Sequence, residues 1–210
     1  MMALFISAFV TLFVVLDPPG CVPIFSSLTS GTTPAHRRTM ALRSTGIAAI
    51  VLMLFGIFGE SFLGALGISL AAFRIAGGIM VFLIAIDMVF EKRTERREIR
   101  AEEVTKGRAV VEEDISVFPM AIPMLAGPGS IAAIMLLTAR ASGLEAHLVV
   151  FAALAGVLAI TLASLLAAGP LMRLMGHKIE AMITRLLGVI LAALAAQFVI
   201  DGLREAFKLA

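Results

Sequence analysis

Long apolar segments alternate with short polar ones along the whole chain, and this pattern carries most of the structural information. The segments hold few or no charges and are long enough to cross the roughly 30 Å hydrocarbon core of a bilayer as α-helices. Six such segments are present, at 3–29, 42–60, 67–90, 115–139, 147–170 and 183–204. The pattern predicts an all-α polytopic membrane protein with six transmembrane helices, which we call spans 1 to 6.

The composition agrees with a membrane protein and narrows the chemistry. Of the 210 residues, 60% are hydrophobic and 15% are charged, whereas soluble domains are about 45–50% apolar and about 25% charged. Cys21 is the single cysteine, which excludes an intramolecular disulfide, and the three histidines lack a metal-ligand spacing. The apolar N-terminus has no preceding Lys or Arg and no A-x-A site, so we expect it to be a permanent helix. We expect the lipid bilayer as a partner, and neither a metal, a cofactor nor a nucleic acid.

Lys and Arg concentrate in the connections that follow the odd-numbered spans. These connections hold Arg37 and Arg38, then seven basic residues within 91–114, then Arg173 and Lys178. The opposite side has one arginine between spans 4 and 5 and two basic residues near the C-terminus. The positive-inside rule places the odd connections in the cytoplasm and both termini outside.

The 91–114 segment separates two regions of three spans each, 1–90 and 115–210. Acidic and basic residues alternate along it. Such mixed charge is typical of a solvated linker or an exposed helix, and a regulatory or partner-binding role is the alternative.

The two regions resemble each other. Shifting the chain by 109 residues aligns 6–29 with 115–138, with eight identical positions, and superposes Pro19-Gly20 on Pro128-Gly129. Each region has an odd number of spans, so the second copy must enter the membrane from the opposite side. The sequence therefore predicts a 3+3 inverted repeat, as in many secondary transporters.

Spans 1 and 4 contain six of the eight prolines, and each combines proline with glycine near its centre. Proline removes a backbone donor and glycine tolerates unusual dihedral angles, so we expect both helices to be discontinuous, at 17–20 and 126–129. The downstream half-helices would begin at about Gly20 and Ser130 with free N–H groups, which suit a carboxylate. The alternative is a pair of proline kinks that only shape the packing.

Asp17 is an acid inside an apolar span. A carboxylate at a membrane-helix centre costs about 2.5–3.5 kcal/mol on insertion scales, so it normally faces a cavity or a partner. Asp17 could bind an ammonium group, carry a coupling proton or hold a cation; as the alternative, it caps the second half-helix. Arg74 and Arg185 are candidate charge partners or snorkel to the interface. Gln197 could line a cavity or bond another helix.

Four stretches of the chain together form a specific pattern, namely DPPGCVPIF (17–25), RIAGGIMVFLIAIDM (74–88), EEDISVFPMAIPMLAGPGSIA (112–132) and TRLLGVILAALAAQFVIDGL (184–203). They resemble the MarC family of bacterial and archaeal inner-membrane proteins. The resemblance implies an inner-membrane location and a relation to six-helix exporters of the LysE superfamily. It also implies that some members carry neutral amino acids with a cation gradient. It implies central-site roles for residues around the two breaks, namely Asp17, Pro19, Gly20, Pro23, Gly127, Pro128 and Gly129.

We therefore expect a secondary transporter of a small zwitterion such as glycine or alanine, driven by a proton or sodium gradient. The expected substrate-binding residues are Asp17, Pro19, Gly20, Cys21, Pro23, Gly127, Pro128, Gly129, Ser130 and Gln197, and Asp17 is the candidate for coupling. An exporter or channel for a cation or a drug-like compound is the alternative, and a structural scaffold is a third reading. We do not expect an enzyme, because no histidine lies deep in a span and Asp17 lacks an acid partner at similar depth. The oligomeric state is left open, a homo-oligomer included.

Overall fold

The structure is a computed structural model that describes residues 1–90 and 114–208, and for 173–178, 180 and 181 the backbone only. The predicted linker at 91–114 lies outside the described residues except for Asp114. Every element within the described ranges is helical. The elements are α1 (Met2–Leu16), α2 (Pro18–Leu28), α3 (Pro34–Ala65), α4 (Leu70–Val89), α5 (Ser116–Leu125), α6 (Pro128–Arg140), α7 (Gly143–Leu166) and α8 (Ala168–Phe207).

Five helical segments of the described chain are long and apolar enough to cross a membrane. They are Met2–Leu28, Pro34–Ala65, Leu70–Val89, Gly143–Leu166 and Met182–Phe207. A sixth span results if α5 and α6, which meet at an angle of 53°, are counted as one. The prediction of an all-α protein with several membrane spans is confirmed.

The outer surface is apolar, as lipid contact requires. On α3, for example, Ile50 is 61% exposed, Ile57 52% and Phe58 59%. A continuous apolar surface of this kind is rare on soluble monomers and marks contact with a membrane or another protein.

The junction between α1 and α2 follows from the sequence Asp17-Pro18-Pro19. Asp17 adopts the left-handed conformation, with φ 55° and ψ 63°. It is both the C-cap residue of α1 and the N-cap residue of α2. A residue before proline is disfavoured in the right-handed helical region, so α1 ends there. The two prolines occupy the first turn of α2, where their missing N–H groups would have no helical partner in any case.

The α5 segment is wound more widely than an α-helix. Its N–H groups reach carbonyls five residues back, as in Met120 to Ile115 (3.3 Å) and Ala126 to Ala121 (2.8 Å). Phe118 and Ile122 are extended, with φ −125° in both, because each precedes a proline. The sequence predicted a break at 126–129; the irregular backbone begins earlier, at Phe118.

Asp114 ties the start of α5 to α3. Its carboxylate accepts hydrogen bonds from the N–H (2.9 Å) and the hydroxyl of Ser116, and it lies 3.0 Å from Nη1 of Arg43. The hydrogen bonds from Ser116 and the nearby Arg43 guanidinium hold the pKa of Asp114 below its usual value. The ion pair itself is half-exposed, so it contributes little to stability.

Helices α4 and α8 are the most closely packed pair, and glycine makes the close approach possible. A β-carbon built on Gly78 would lie 3.0 Å from the carbonyl oxygen of Ala195, and one on Gly188 would lie 3.1 Å from that of Ala85. On Gly202 it would lie 3.0 Å from the carbonyl of Ala71. Residue numbers along α4 increase from contact to contact while those along α8 decrease, so the two helices run antiparallel. Small residues at the interface commonly allow this close approach of membrane helices.

Each interrupted span packs on the other half of the chain. The α1 helix lies against α7 and α5 lies against α3; α2 contacts α7 and α8, whereas α6 contacts α3 and α4. Residues at both junctions are consequently buried, among them Leu16, Ala126 and Leu125, each no more than 2% exposed. The two junctions therefore lie in the core of the bundle.

The α4–α8 contact generates a prediction about stability. We expect Gly188→Ala to lower the free energy of unfolding by about 1–3 kcal/mol, because the added methyl group meets the Ala85 carbonyl and the β-carbon of Met88. Gly46→Ala is the matched control, since nothing lies within 4 Å of a β-carbon there. Removing that glycine should stabilise α3 by up to about 1 kcal/mol. Thermal unfolding followed by circular dichroism in detergent measures both, and equal effects of the two substitutions would contradict the packing role.

Candidate functional site

Asp17 is buried at the first junction, with 1% of its surface exposed. Its Oδ1 accepts a hydrogen bond from the N–H of Gly20 at 3.1 Å. A β-carbon on Gly20 would lie 2.2 Å from Oδ2 of Asp17, so glycine is needed for the carboxylate to fold back over the helix start. Capping of α2, the alternative role expected for Asp17, is thus present in the structure.

The second junction has no acid. Gly127 is the N-terminal cap of α6, no side chain caps this end, and the position equivalent to Asp17 is Ala126. A β-carbon on Gly127 would lie 2.4 Å from the carbonyl oxygen of Pro123, so only glycine fits there. The half-helices begin at Pro18 and Pro128, two residues before the predicted Gly20 and Ser130.

The two junctions meet through Gly129. A β-carbon built on Gly129 would lie 3.6 Å from Cγ1 of Val15, two residues before Asp17, and 2.3 Å from Cδ1 of Ile84. The last turn of α1, the first turn of α6 and the C-terminal half of α4 therefore touch at one point. The first turn of α6 continues with Ser130, which is 3% exposed.

A buried stripe runs along α2 from the first junction. Asp17, Cys21, Phe25 and Thr29 are spaced four residues apart, which places them on one face of the helix, and each is at most 1% exposed. The Cys21 thiol points back to the Leu16 carbonyl oxygen at 3.6 Å. Pro23 is buried inside the same helix and Pro19 is half-buried. The stripe connects the junction to the end of α2.

The other candidate side chains lie in a separate group at the ends of α4, α6 and α8. We call it the outer charge cluster; it consists of Arg74, Arg140, Gln197, Asp201 and Glu205. Arg74 pairs with Glu205 and Arg140 with Asp201. The Gln197 amide donates to Oδ1 of Asp201 at 2.7 Å, and the Arg140 guanidinium lies 4.8 Å above the ring of Phe198.

The cluster changes how the remaining candidates are interpreted. Gln197, which was expected at the substrate site, is exposed, and its amide donates a hydrogen bond to Asp201. Arg74 neutralises Glu205, and Arg185 is exposed on α8. Sequence analysis did not find the Arg140–Asp201 pair; the available signal was the presence of opposite charges at the ends of spans on the same predicted side.

The positive φ of Asp17 leads to a graded prediction. Asp17→Asn keeps both the cap and the tolerance of the left-handed region, so we expect stability within about 0.5 kcal/mol of the wild type. Asp17→Gly should lose a few tenths of a kcal/mol, and Asp17→Ala about 2–3 kcal/mol, since alanine loses the cap and is strained at this φ. Thr33 caps α3 at φ −67° and serves as the control position. The gap between its Ala and Gly variants in thermal unfolding should be smaller, and an equal gap at both positions would contradict the strain argument.

Comparison with known proteins agrees with this architecture. The family model described as "MarC family integral membrane protein" matches residues 2–207. UPF0056 membrane protein MJ1677 of Methanocaldococcus jannaschii is 39% identical over 96% of this chain and 97% of its own. UPF0056 membrane protein YvbG of Bacillus subtilis is 34% identical over 99% and 97%, and UPF0056 inner membrane protein YhgN of Escherichia coli 38% over 97% and 98%. No solved structure matches the chain. The protein belongs to the MarC family of integral membrane proteins.

Proposed function

We propose that the protein is a secondary transporter of a small zwitterionic solute, in the first instance glycine or alanine, driven by a proton or sodium gradient. One observation carries the proposal: two interrupted helices meet in the core, and only one junction holds an acid. Asp17 lies at the α1–α2 junction, whereas the α6 start carries no side-chain cap. A zwitterion has one cationic and one anionic group. The Asp17 carboxylate would bind the first, and the free N–H groups at the start of α6 would bind the second.

The anionic end of the solute would meet the first turn of α6. A helix start leaves N–H groups without helical partners and is electropositive, which favours a carboxylate. Ile84 covers Gly129 in this conformation, since its Cδ1 lies 2.3 Å from the place of a β-carbon there, so a ligand would reach this backbone only after α4 moves away. The cationic end would meet the Asp17 carboxylate.

We further propose that the two halves form an inverted repeat. The packing supports it, because the pairs α1–α7 and α5–α3 exchange when the halves are exchanged, and so do α2–α8 and α6–α4. In such a repeat one half rocks against the other around a central site. The inner membrane is the location named for YhgN, and we propose it for this chain, with both termini on the outer side as the positive-inside rule predicts.

Burial at the junctions supports transport by a conformational change. Asp17, Cys21, Ala126 and Ser130 are at most 3% exposed, so a solute reaches them only when the helices move. A structural scaffold would keep this core closed at all times. Exchange of a labelled solute across the membrane distinguishes the two functions.

Counterflow in liposomes tests the proposal directly. Wild-type protein should accumulate labelled glycine or alanine against an unlabelled internal pool. Gly129→Leu should reduce the rate roughly 10- to 100-fold, because its side chain blocks charge-assisted hydrogen bonds that contribute about 1.5–3 kcal/mol each. Gly46→Leu is the control, since its side chain enters open space on α3.

The outcomes separate the competing functions. If Gly129→Leu inserts normally and exchanges amino acids at the wild-type rate, the start of α6 is not part of the binding site. If neither amino acid accumulates but amines do, the second candidate, a cation exporter or channel, takes precedence; the buried Asp17 favours it. If the folded protein exchanges no solute, the result favours a structural scaffold over a transporter.

Asp17 also carries a prediction about coupling. Asp17→Asn retains the cap on Gly20 but cannot bind or release a proton. We expect it to exchange amino acids in counterflow only at higher substrate concentrations, because a neutral amide binds an ammonium group more weakly than a carboxylate does, and to fail to concentrate them when a proton gradient is imposed. Thr33→Asn, at a cap outside the core, should leave gradient-driven uptake unchanged. Proton-driven uptake by Asp17→Asn at the wild-type level would exclude Asp17 as the proton-coupling residue.

A further inference from the structure

A second polar site lies at the far end of the α2 stripe. A cavity of about 190 Å³ opens there between the end of α2, the start of α3 and the junction of α7 with α8. Its walls include Ser26 and Thr29 on one side, Arg37 and Arg38 on a second, and Gly169 on a third. The positive-inside rule predicts this side of the membrane to be the cytoplasmic one. The cavity is separated from Asp17 by the length of α2, about 15 Å at 1.5 Å per residue.

The cationic groups of this cavity are Arg37 and Arg38. Arg37 donates through Nε to the carbonyl oxygen of Thr29 at 3.1 Å, which fixes the guanidinium at the end of α2. Within the described part of the chain, neither Arg37 nor Arg38 has a carboxylate within 4 Å. Two neighbouring guanidinium groups repel each other, and a bound anion would offset that repulsion.

The remaining wall leaves room for such an anion. A β-carbon built on Gly169 would have one neighbour within 4 Å, Nη1 of Arg37 at 3.9 Å. Gly169 belongs to the first turn of α8, whose cap Ala167 offers no side-chain acceptor. Arg38, Leu166 and Pro170 at the rim are exposed, so the cavity opens at the edge of the bundle.

We propose that this cavity is a phosphate-binding site, with Arg37 and Arg38 as its cationic groups and the Ser26 hydroxyl as a further donor. Guanidinium groups match phosphate oxygens in pairs. Basic pockets between membrane helices on the cytoplasmic side bind the headgroups of anionic lipids. The volume is below the roughly 300–1,000 Å³ of drug-sized pockets, so it suits a phosphate group with a small substituent. The phosphate comes either from an anionic lipid of the inner leaflet or from a small soluble phosphate.

Ligand-dependent stabilisation tests the site without any transport assay. The chain has no Trp or Tyr, but Cys21 is its single cysteine and is fully buried. A thiol-reactive dye that fluoresces on reaction therefore reports unfolding of the intact protein in detergent. The probes are dioctanoyl phosphatidylglycerol, glycerol 3-phosphate and, as the phosphate-free control, dioctanoylglycerol, all at constant ionic strength.

We expect dioctanoyl phosphatidylglycerol to raise the wild-type melting temperature by roughly 2–4 °C near saturation, and dioctanoylglycerol to have no such effect. Arg38→Gln should need roughly tenfold more lipid for the same shift. Arg204→Gln is the matched control, because it removes one exposed charge at the opposite end of the bundle. Ser26→Asp, which places a negative charge in the wall, should abolish the shift while Arg204→Gln responds as the wild type does.

The arms also identify the source of the phosphate. A shift with glycerol 3-phosphate as well as with the lipid means that a soluble phosphate fills the site; a shift with the lipid alone assigns it to the headgroup. The proposal is overturned if dioctanoylglycerol stabilises the protein equally. It is also overturned if Arg38→Gln and Ser26→Asp respond like the wild type.

Discussion

The structure depends on how the backbone polar groups freed by two interrupted helices are accommodated inside an apolar bundle. In hydrocarbon an unsatisfied N–H or carbonyl group costs several kcal/mol, so irregular backbone survives only where protein or a hydrated cavity surrounds it. The first junction meets this demand with Asp17, whose carboxylate turns back onto the N–H of Gly20. The second junction meets it with hydrogen bonds in α5 that join residues five positions apart. Gly127 also contributes, because it packs against the Pro123 carbonyl. Both junctions are buried because each packs on the opposite half of the chain.

Close packing between helices explains the glycines between α4 and α8. Helices in lipid gain little from hydrophobic burial against one another and associate through close packing instead. Gly78, Gly188 and Gly202 allow α4 and α8 to approach to backbone contact along their length. This pair forms a frame on one side of the bundle, and Ile84 of α4 extends from it to Gly129 at the second junction. A movement of α4 relative to α6 would therefore act directly on the α6 start.

Charge is distributed according to depth. The outer charge cluster neutralises itself through the pairs Arg74–Glu205 and Arg140–Asp201. At the opposite end, Arg37 and Arg38 face a cavity without an acid among the described residues. Between the two ends lies Asp17, buried and held by backbone. An acid is expensive at this depth, and the proposed role of Asp17 in binding or coupling would account for its presence there.

The sequence by itself determined that the protein is all-helical with several membrane spans, and it predicted interruptions at 17–20 and 126–129. These features follow from local rules: apolar length specifies a span, and proline next to glycine interrupts a helix whatever surrounds it. The packing roles of Gly78 and Gly188 were also predictable, because small residues in a span favour close contacts. Only the tertiary structure decided that Asp17 caps its own helix, that Gly129 faces Val15 and Ile84, and that Gln197 bonds Asp201 rather than the junctions. The irregular backbone from Phe118 onward and the arginine-lined cavity were likewise visible only in three dimensions. The physical reason is that a side chain's partners are set by helix rotation and by contacts between distant segments, neither of which apolar periodicity specifies.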